Sequence, residues 1–293
     1  MSMLTETVRM TIPYACAGLG GVLSERAGVV NIALEGTMLA SALAAVAVHV
    51  ATGSALAGAL AGVGTGATVG LLHSALVVGS RIDAIVSGLA LNLAAVGGTR
   101  FLLRALYGSS SNSPSIEGIR VSHVLFDPFL LATIAAVAVV AWMLRRTRFG
   151  LRLRACGEDP SAAQAVGVHV AGTRTAAVCL GSAICGLGGT ALAYDLHQFQ
   201  AGMTGGRGFI ALAAVIVAGW RPWPVAGACL AFAALDALQI VLQNRTSLPT
   251  QILGVLPYVA TLVALVLVAR RQKRGGGEGG DGGPPAGLGR HPA

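Results

Sequence analysis

The sequence predicts an all-α fold, a polytopic transmembrane helical bundle, and three observations carry that expectation. Hydrophobic residues make up 54% of the 293-residue chain and charged residues only 11%, under half the roughly 25% usual for a soluble domain. Mean hydropathy is +0.73. The polar residues fall in short clusters between long apolar runs. So few charges cannot cover a soluble globule, which excludes a soluble enzyme, a disordered chain and a nucleic-acid-binding domain.

A membrane helix needs about 20 mostly apolar residues. The candidate runs are Thr11–Leu23, Val29–Val50, Ala55–Gly79, Ile82–Leu106, Pro128–Leu144, Thr173–Tyr194, Phe209–Trp220, Trp223–Leu242 and Gln251–Val268. They predict eight to nine segments in one transmembrane domain over residues 1–270. The tail, 271–293, is rich in Gly and Pro and reads as disordered.

Net charge is +8, and the basic residues cluster. Arg145, Arg146, Arg148, Arg152 and Arg154 form one group, and Arg270, Arg271, Lys273 and Arg274 another. Short cytoplasmic loops collect Lys and Arg, so both groups are expected inside. An even number of crossings must then separate them. Counting the short Phe209–Trp220 run as its own crossing meets this, with Arg221 and Pro222 at a cytoplasmic turn and Trp220 and Trp223 at the interface. Counting backwards places Ser24–Gly28 and Arg81 inside and the N-terminus outside.

Forty-one glycines need a reason, because glycine weakens an isolated helix. Gly58, Gly62, Gly66 and Gly70 recur every four residues and form one small face, which lets helix backbones approach in lipid. The five cysteines form no CxxC pair and read as small apolar residues. No GxxxxGK[ST] phosphate loop occurs. Gly18–Gly21 and Gly186–Gly189 lie in apolar runs with no βαβ pattern, against a dinucleotide site. His73 and Ser74 are neighbours, but no GxSxG or HExxH motif accompanies them.

Polar residues inside apolar runs are costly and therefore informative. Asn31 and Glu35 share one helix face, Asn92 lies mid-run, and Asp236, Gln239 and Gln243 share another face. Two readings stay open for Asn31, Glu35, Asn92, Asp236 and Gln239. They line a pocket for a hydroxyl-rich or base-containing solute, or they bond one another and fix helix packing. Arg100 and Arg104 read as snorkelling to the outer interface.

The loop 145–172 is the most unusual segment. Asp159 is placed to cap a short helix with Pro160 at its first position, Ala162, Ala163 and Ala165 follow, and Gly167 ends it. A short capped helix flanked by arginines suits either a docking element or a solvated interfacial loop.

Four stretches carry a resemblance. Ser24-Glu-Arg-Ala-Gly-Val-Val-Asn-Ile-Ala-Leu-Glu-Gly36 resembles the signature near the start of nucleoside and simple-sugar ABC importer permeases. Arg148-Phe-Gly-Leu-Arg-Leu-Arg-Ala-Cys-Gly-Glu-Asp-Pro160, with Ala162, Ala163 and Gly167, resembles their coupling loop. Gly206-Arg-Gly-Phe-Ile-Ala-Leu-Ala-Ala214 and Leu256-Pro-Tyr258 are similar to two further stretches, in the same order.

The resemblance implies a type II ABC-importer-like permease in a bacterial inner membrane. It implies a second permease chain, paralogue or self, two ABC ATPase subunits that bind the ATP, and an extracytoplasmic solute-binding protein. By position, Arg152, Gly157, Glu158, Asp159, Pro160, Ala163 and Gly167 would form the ATPase-coupling element, and Asn31, Glu35 and Asn92 would lie near the translocation path. ATP-driven closure of the ATPases would push the coupling helices and switch the pore from outward- to inward-facing. The chain itself would be no enzyme and hold no cofactor. Cys156 and the glycine-rich tail depart from the family's pattern. The rival readings are a ribose-like sugar or branched-chain amino acid permease of the same kind, and a secondary transporter without ATP. The latter would show an internal repeat, and none is visible.

Overall fold

The computed structural model describes residues 3–118, 126–245, 255, 258–266 and 283–289. Ten α-helices are labelled in chain order: α1 Met3–Arg26, α2 Leu34–Thr52, α3 Ala55–Ser74, α4 Ala84–Tyr107, α5 Pro128–Arg146, α6 Arg148–Glu158, α7 Pro160–Ala165, α8 Val170–Asp195, α9 Arg207–Val217 and α10 Pro222–Arg245. A π-helical turn, Ala75–Gly79, extends α3, and a further helical stretch covers 258–266.

Six helices among the described residues are long and apolar enough to cross a membrane: α2, α3 with its π turn, α4, α5, α8 and α10. Three expected segments differ from this set. Thr11–Leu23 lies within the 24-residue α1, whose ends carry polar and charged side chains. Residues 251–254, 256, 257, 267 and 268 of the expected Gln251–Val268 segment lie outside the described residues. The Phe209–Trp220 run forms α9, which has only 11 residues. At 1.5 Å per residue α9 is about 16 Å long, half of a roughly 30 Å hydrocarbon core.

Ahead of α9 runs an irregular stretch, residues 196–206, in which Phe199, Met203 and Thr204 are buried and Leu196, His197, Gly202 and Gly205 are exposed. Its backbone is satisfied by the segment after α4: Ser113 N donates to Phe199 O at 3.0 Å, Ile116 N to His197 O at 2.8 Å and Ala201 N to Ser111 O at 2.8 Å. The stretch starts at the end of α8, where Asp195 pairs with Arg9 of α1 at 3.3 Å. After α9 the chain reaches the opposite end. There Trp220 donates its indole N–H to Glu25, and Arg26 Nε donates to the Trp220 carbonyl at 3.1 Å. Arg26, Arg145, Arg154, Trp220, Arg221 and Pro222 line one cavity at that end. The turn before α10 and the arginine loop therefore share one end of the body.

The glycine face is where α3 meets its neighbours. Gly58, Gly62, Gly66 and Gly70 are all buried. A Cβ on Gly66 would run into the Ser182 carbonyl oxygen and lie 2.9 Å from the Gly186 Cα, whereas one on Gly64 would meet nothing within 4 Å. So α3 and α8 pack backbone to backbone along one stripe, and the other side of α3 looks outward. The largest buried apolar cluster joins α1 to α5, α9 and α10 through Tyr14, Leu19, Val140, Ile210 and Val225.

Candidate functional site

Two helices, α2 and α9, start beside each other, each after a stretch of non-helical backbone. Residues 27–33 lead to α2 and 196–206 lead to α9. Each start leaves unpaired backbone N–H groups, which carry partial positive charge and favour an anion. Glu35, in the first turn of α2, answers for α9. Its Oε1 accepts from Gly206 N at 2.8 Å and its Oε2 accepts from Gly208 N at 2.8 Å. The two amides flank Arg207, so one carboxylate clamps the backbone on both sides of that residue.

Arg207 is the basic partner of Asp236. Its Nη2 lies 3.1 Å from Asp236 Oδ2, and Nη1 donates to the Met203 carbonyl at 3.0 Å. Tyr14 of α1 donates its hydroxyl to the same Asp236 oxygen at 3.2 Å. The guanidinium also lies 6.0 Å from the Tyr14 ring centre, within cation–π range. Tyr258 donates to the Gly205 carbonyl at 2.7 Å. Together Tyr14, Gly205, Arg207, Ile210, Asp236, Gln239 and Tyr258 line a cavity of about 130 Å³. Arg207 Nε is buried and has no hydrogen-bond partner among the described residues. Arg207 also borders a second cavity of about 110 Å³, reached from the end of the body that carries Arg9, Asp127, Asp195 and His197.

The candidate pathway residues thus divide. Asp236 and Gln239 line the cavity. Asn31, Glu35 and Asn92 are not among its lining residues and bond protein instead. Asn92 donates to the Ile32 carbonyl at 2.9 Å and accepts from Gly36 N at 2.8 Å, which ties α4 to the bend before α2. Asn31 donates to Ser24 Oγ at 3.1 Å. Sequence reasoning missed Arg207, Tyr14 and Tyr258 as lining residues. The available signal was Arg207 itself, a lone basic residue at the head of an apolar run, with a lone acid, Asp236, inside the next run.

The elbow, α6 and α7, sits at the arginine-rich end. Asp159 Oδ1 accepts from Ser161 N and Ala162 N, both at 2.9 Å, with Pro160 in the first turn of α7. Gly167, at φ +84°, turns the chain into α8. Arg174 fastens the elbow to the body: Nε donates to the Ala27 carbonyl at 3.0 Å and Nη2 to the Cys156 carbonyl at 3.1 Å. A Cβ on Gly157 would collide with the Arg26 carbonyl, so only glycine allows α6 to seat there. Cys156 is fully buried, and burial pushes its thiol up while the Arg174 charge pulls it back less strongly. Ala163 is buried beside it, whereas Glu158 and Arg152 are exposed.

Of the tail, 271–293, the described residues are 283–289. Residues 283–289 form a turn against the elbow, with Gly287 N donating to the Gly157 carbonyl at 2.8 Å and Gly289 N to the Gly28 carbonyl at 3.0 Å. Main-chain donors, not apolar side chains, make this contact, so composition carried no sign of it. The rest of the tail, 271–282 and 290–293, lies outside the described residues.

The chain matches the family described as branched-chain amino acid transport system / permease component over residues 3–268. It is 34% identical to the guanosine ABC transporter permease protein NupQ of Bacillus subtilis (strain 168), covering 90% of this chain and 92% of that protein. It is 34% identical to the nucleoside ABC transporter permease protein NupC of Lactococcus lactis subsp. cremoris (strain MG1363), covering 87% and 88%. It is 24% identical to a further guanosine ABC transporter permease protein of Bacillus subtilis, NupP, covering 92% and 84%. A match running through the helical body from α1 to the last helical stretch makes the chain a member of the branched-chain amino acid transport system / permease component family, a membrane transport subunit rather than an enzyme.

Proposed function

We propose that the chain forms one half of the translocation pore of an ABC importer of the type II kind, and that its solute is a nucleoside. The observation that carries this is the Arg207–Asp236–Tyr14–Gln239–Tyr258 cavity, which presents a guanidinium, a carboxylate, an amide and two phenols inside an apolar body. Such a set offers donors and acceptors to both a base edge and ribose hydroxyls. The nucleoside and guanosine names of NupC and NupQ support the same solute class. NupQ and NupP, two permease proteins of one organism with the same guanosine name, support a pore built from two different permease chains.

In this reading the chain makes nine passes, one of them the broken stretch 196–217. The arginine-rich end faces the cytoplasm by the positive-inside rule, and the C-terminus lies there too. The contact of 283–289 with the elbow supports that side for the tail. Arg152, Gly157, Glu158, Asp159, Pro160, Ala163 and Gly167 belong to the element that receives an ABC ATPase subunit, and an extracytoplasmic binding protein delivers solute at the Asp195 end. ATP is bound and hydrolysed on the partner subunits.

Uptake by proteoliposomes holding the permease pair, the ATPase and the binding protein tests this. Radiolabelled guanosine or uridine accumulates only with internal ATP, and unlabelled nucleoside competes while ribose and leucine do not. Competition by ribose or leucine alone overturns the solute class. Accumulation without the ATPase overturns the importer reading.

A further inference from the structure

We propose that residues 283–289 are a built-in ligand of the elbow that competes with the ATPase subunit for it. The proposal rests on the reading of α6 and α7 as the ATPase-receiving element.

The contact is specific in its chemistry. The last carbonyl groups of a helix have no partner within the helix and need an external donor. Gly157 is the penultimate residue of α6, and its carbonyl accepts from Gly287 N at 2.8 Å. Ala286 N donates to Glu158 Oε2 at 3.2 Å, and Gly289 N donates to the Gly28 carbonyl at 3.0 Å. Leu288 N closes the turn on the Pro285 carbonyl at 3.0 Å. Three tail donors thus reach three acceptors, two at the end of α6 and one, Gly28, just past the end of α1.

The tail sequence suits this seat. Pro285 and Gly287 are buried. A Cβ on Gly287 would lie 2.8 Å from the Gly157 oxygen, 3.0 Å from Pro160 Cδ and 3.1 Å from the Glu158 oxygen, so a larger residue is held off. Gly289 has φ +75°, a conformation that L side chains rarely adopt. Pro284 and Pro285 restrict the approach and reduce the ordering cost of docking. Glycine and proline therefore stand where the backbone contact needs them.

The occupied atoms overlap the receiving element at Gly157, Glu158 and Pro160. The free outer side of the elbow carries Leu151 and Val166, 62% and 80% exposed, which is apolar surface for a larger partner to cover. A subunit seated over α7 must displace the turn from Glu158. The docked tail lowers the apparent affinity for the ATPase by the fraction of chains in which the seat is taken.

The test uses the full-length permease pair in nanodiscs with its ABC ATPase subunits. Deleting 283–289, or Gly287→Trp, is expected to tighten ATPase binding about three- to tenfold, and a synthetic peptide of residues 283–289 in excess restores the weaker binding to the deletion variant. A cysteine pair, Glu158→Cys with Ala286→Cys, cross-links in the absence of ATPase, and the yield falls as ATPase is added. In parallel, Ser161→Cys on α7 is labelled with maleimide with and without ATPase. Protection of Ser161→Cys together with unchanged affinity in the deletion variant, or no 158–286 cross-link, overturns the tail proposal alone. No protection of Ser161→Cys overturns the receiving-element reading, and the competition falls with it.

Discussion

Arg207 and Asp236 lie 3.1 Å apart, guanidinium against carboxylate, on α9 and α10 in the interior of the helical body. Both side chains are largely withdrawn from the surface, so removing one charge strands the other. Asp236→Asn or Arg207→Gln alone should lower stability by about 3 kcal/mol and abolish most uptake. The double variant, Arg207→Gln with Asp236→Asn, should recover the unfolding temperature in detergent but not transport. Recovery of both would reduce the pair to a packing element.

Glu35 should behave as a positioning residue. Its two oxygens are spent on Gly206 N and Gly208 N. Glu35→Ala orphans both amides and should cost about 2–3 kcal/mol. Glu35→Gln keeps one acceptor and should lose less. In the folded fraction of Glu35→Gln, the maximal uptake rate should fall more than the half-saturating solute concentration changes. A large rise in half-saturation with normal stability would place the side chain against solute.

The α3 stripe makes a paired prediction. Gly66→Ala pushes a methyl into Ser182 and Gly186 and should destabilise the protein by about 1–3 kcal/mol. Gly64→Ala meets open space and should be neutral or stabilise by up to about 1 kcal/mol through helix propensity. Thermal unfolding in detergent separates the two, and equal effects would mean that α3 does not pack on this face.

At the elbow, Asp159→Ala removes the cap on Ser161 N and Ala162 N and should cost about 1 kcal/mol locally. With the helix frayed, ATP hydrolysis by the partner subunits should proceed with less uptake per ATP. Normal coupling would show that α7 does not carry the push.

Cys156 gives a pH prediction. A thiol reacts as its thiolate, and an exposed cysteine gains reactivity as pH rises toward about 8.5. Burial holds Cys156 protonated to higher pH than usual. Maleimide labelling of Cys156 in the native protein, read by peptide mapping, should rise with pH later than that of an exposed cysteine and become fast only in denaturant. Labelling of native Cys156 as fast as that of an exposed cysteine would show that the elbow opens.

How much of this was legible in the sequence depends on the range of each interaction. The six long apolar helices follow from local hydropathy. The start of α7 follows from Asp159 and Pro160, and the α3 stripe from four glycines at one spacing, because capping and helix periodicity act over a few residues. The shortness of α9 was visible in the Phe209–Trp220 run, but the irregular stretch before it and its bonds to residues 111–116 were not, because they join segments over 80 positions apart. The clamp by Glu35 joins atoms 171 and 173 residues apart and uses main-chain amides that no side-chain pattern reveals. Arg207 and Asp236 are 29 positions apart on separate helices, so periodicity could not pair them.

The seat of Gly157 beneath the Arg26 carbonyl has a mechanical consequence. Arg174 rivets that seat to Ala27 and Cys156, and residues 27–33 run directly into Glu35, which grips the peptide on either side of Arg207. The elbow is therefore joined to the charge at the heart of the body by a short path of hydrogen bonds and only seven residues of connecting backbone, 27–33.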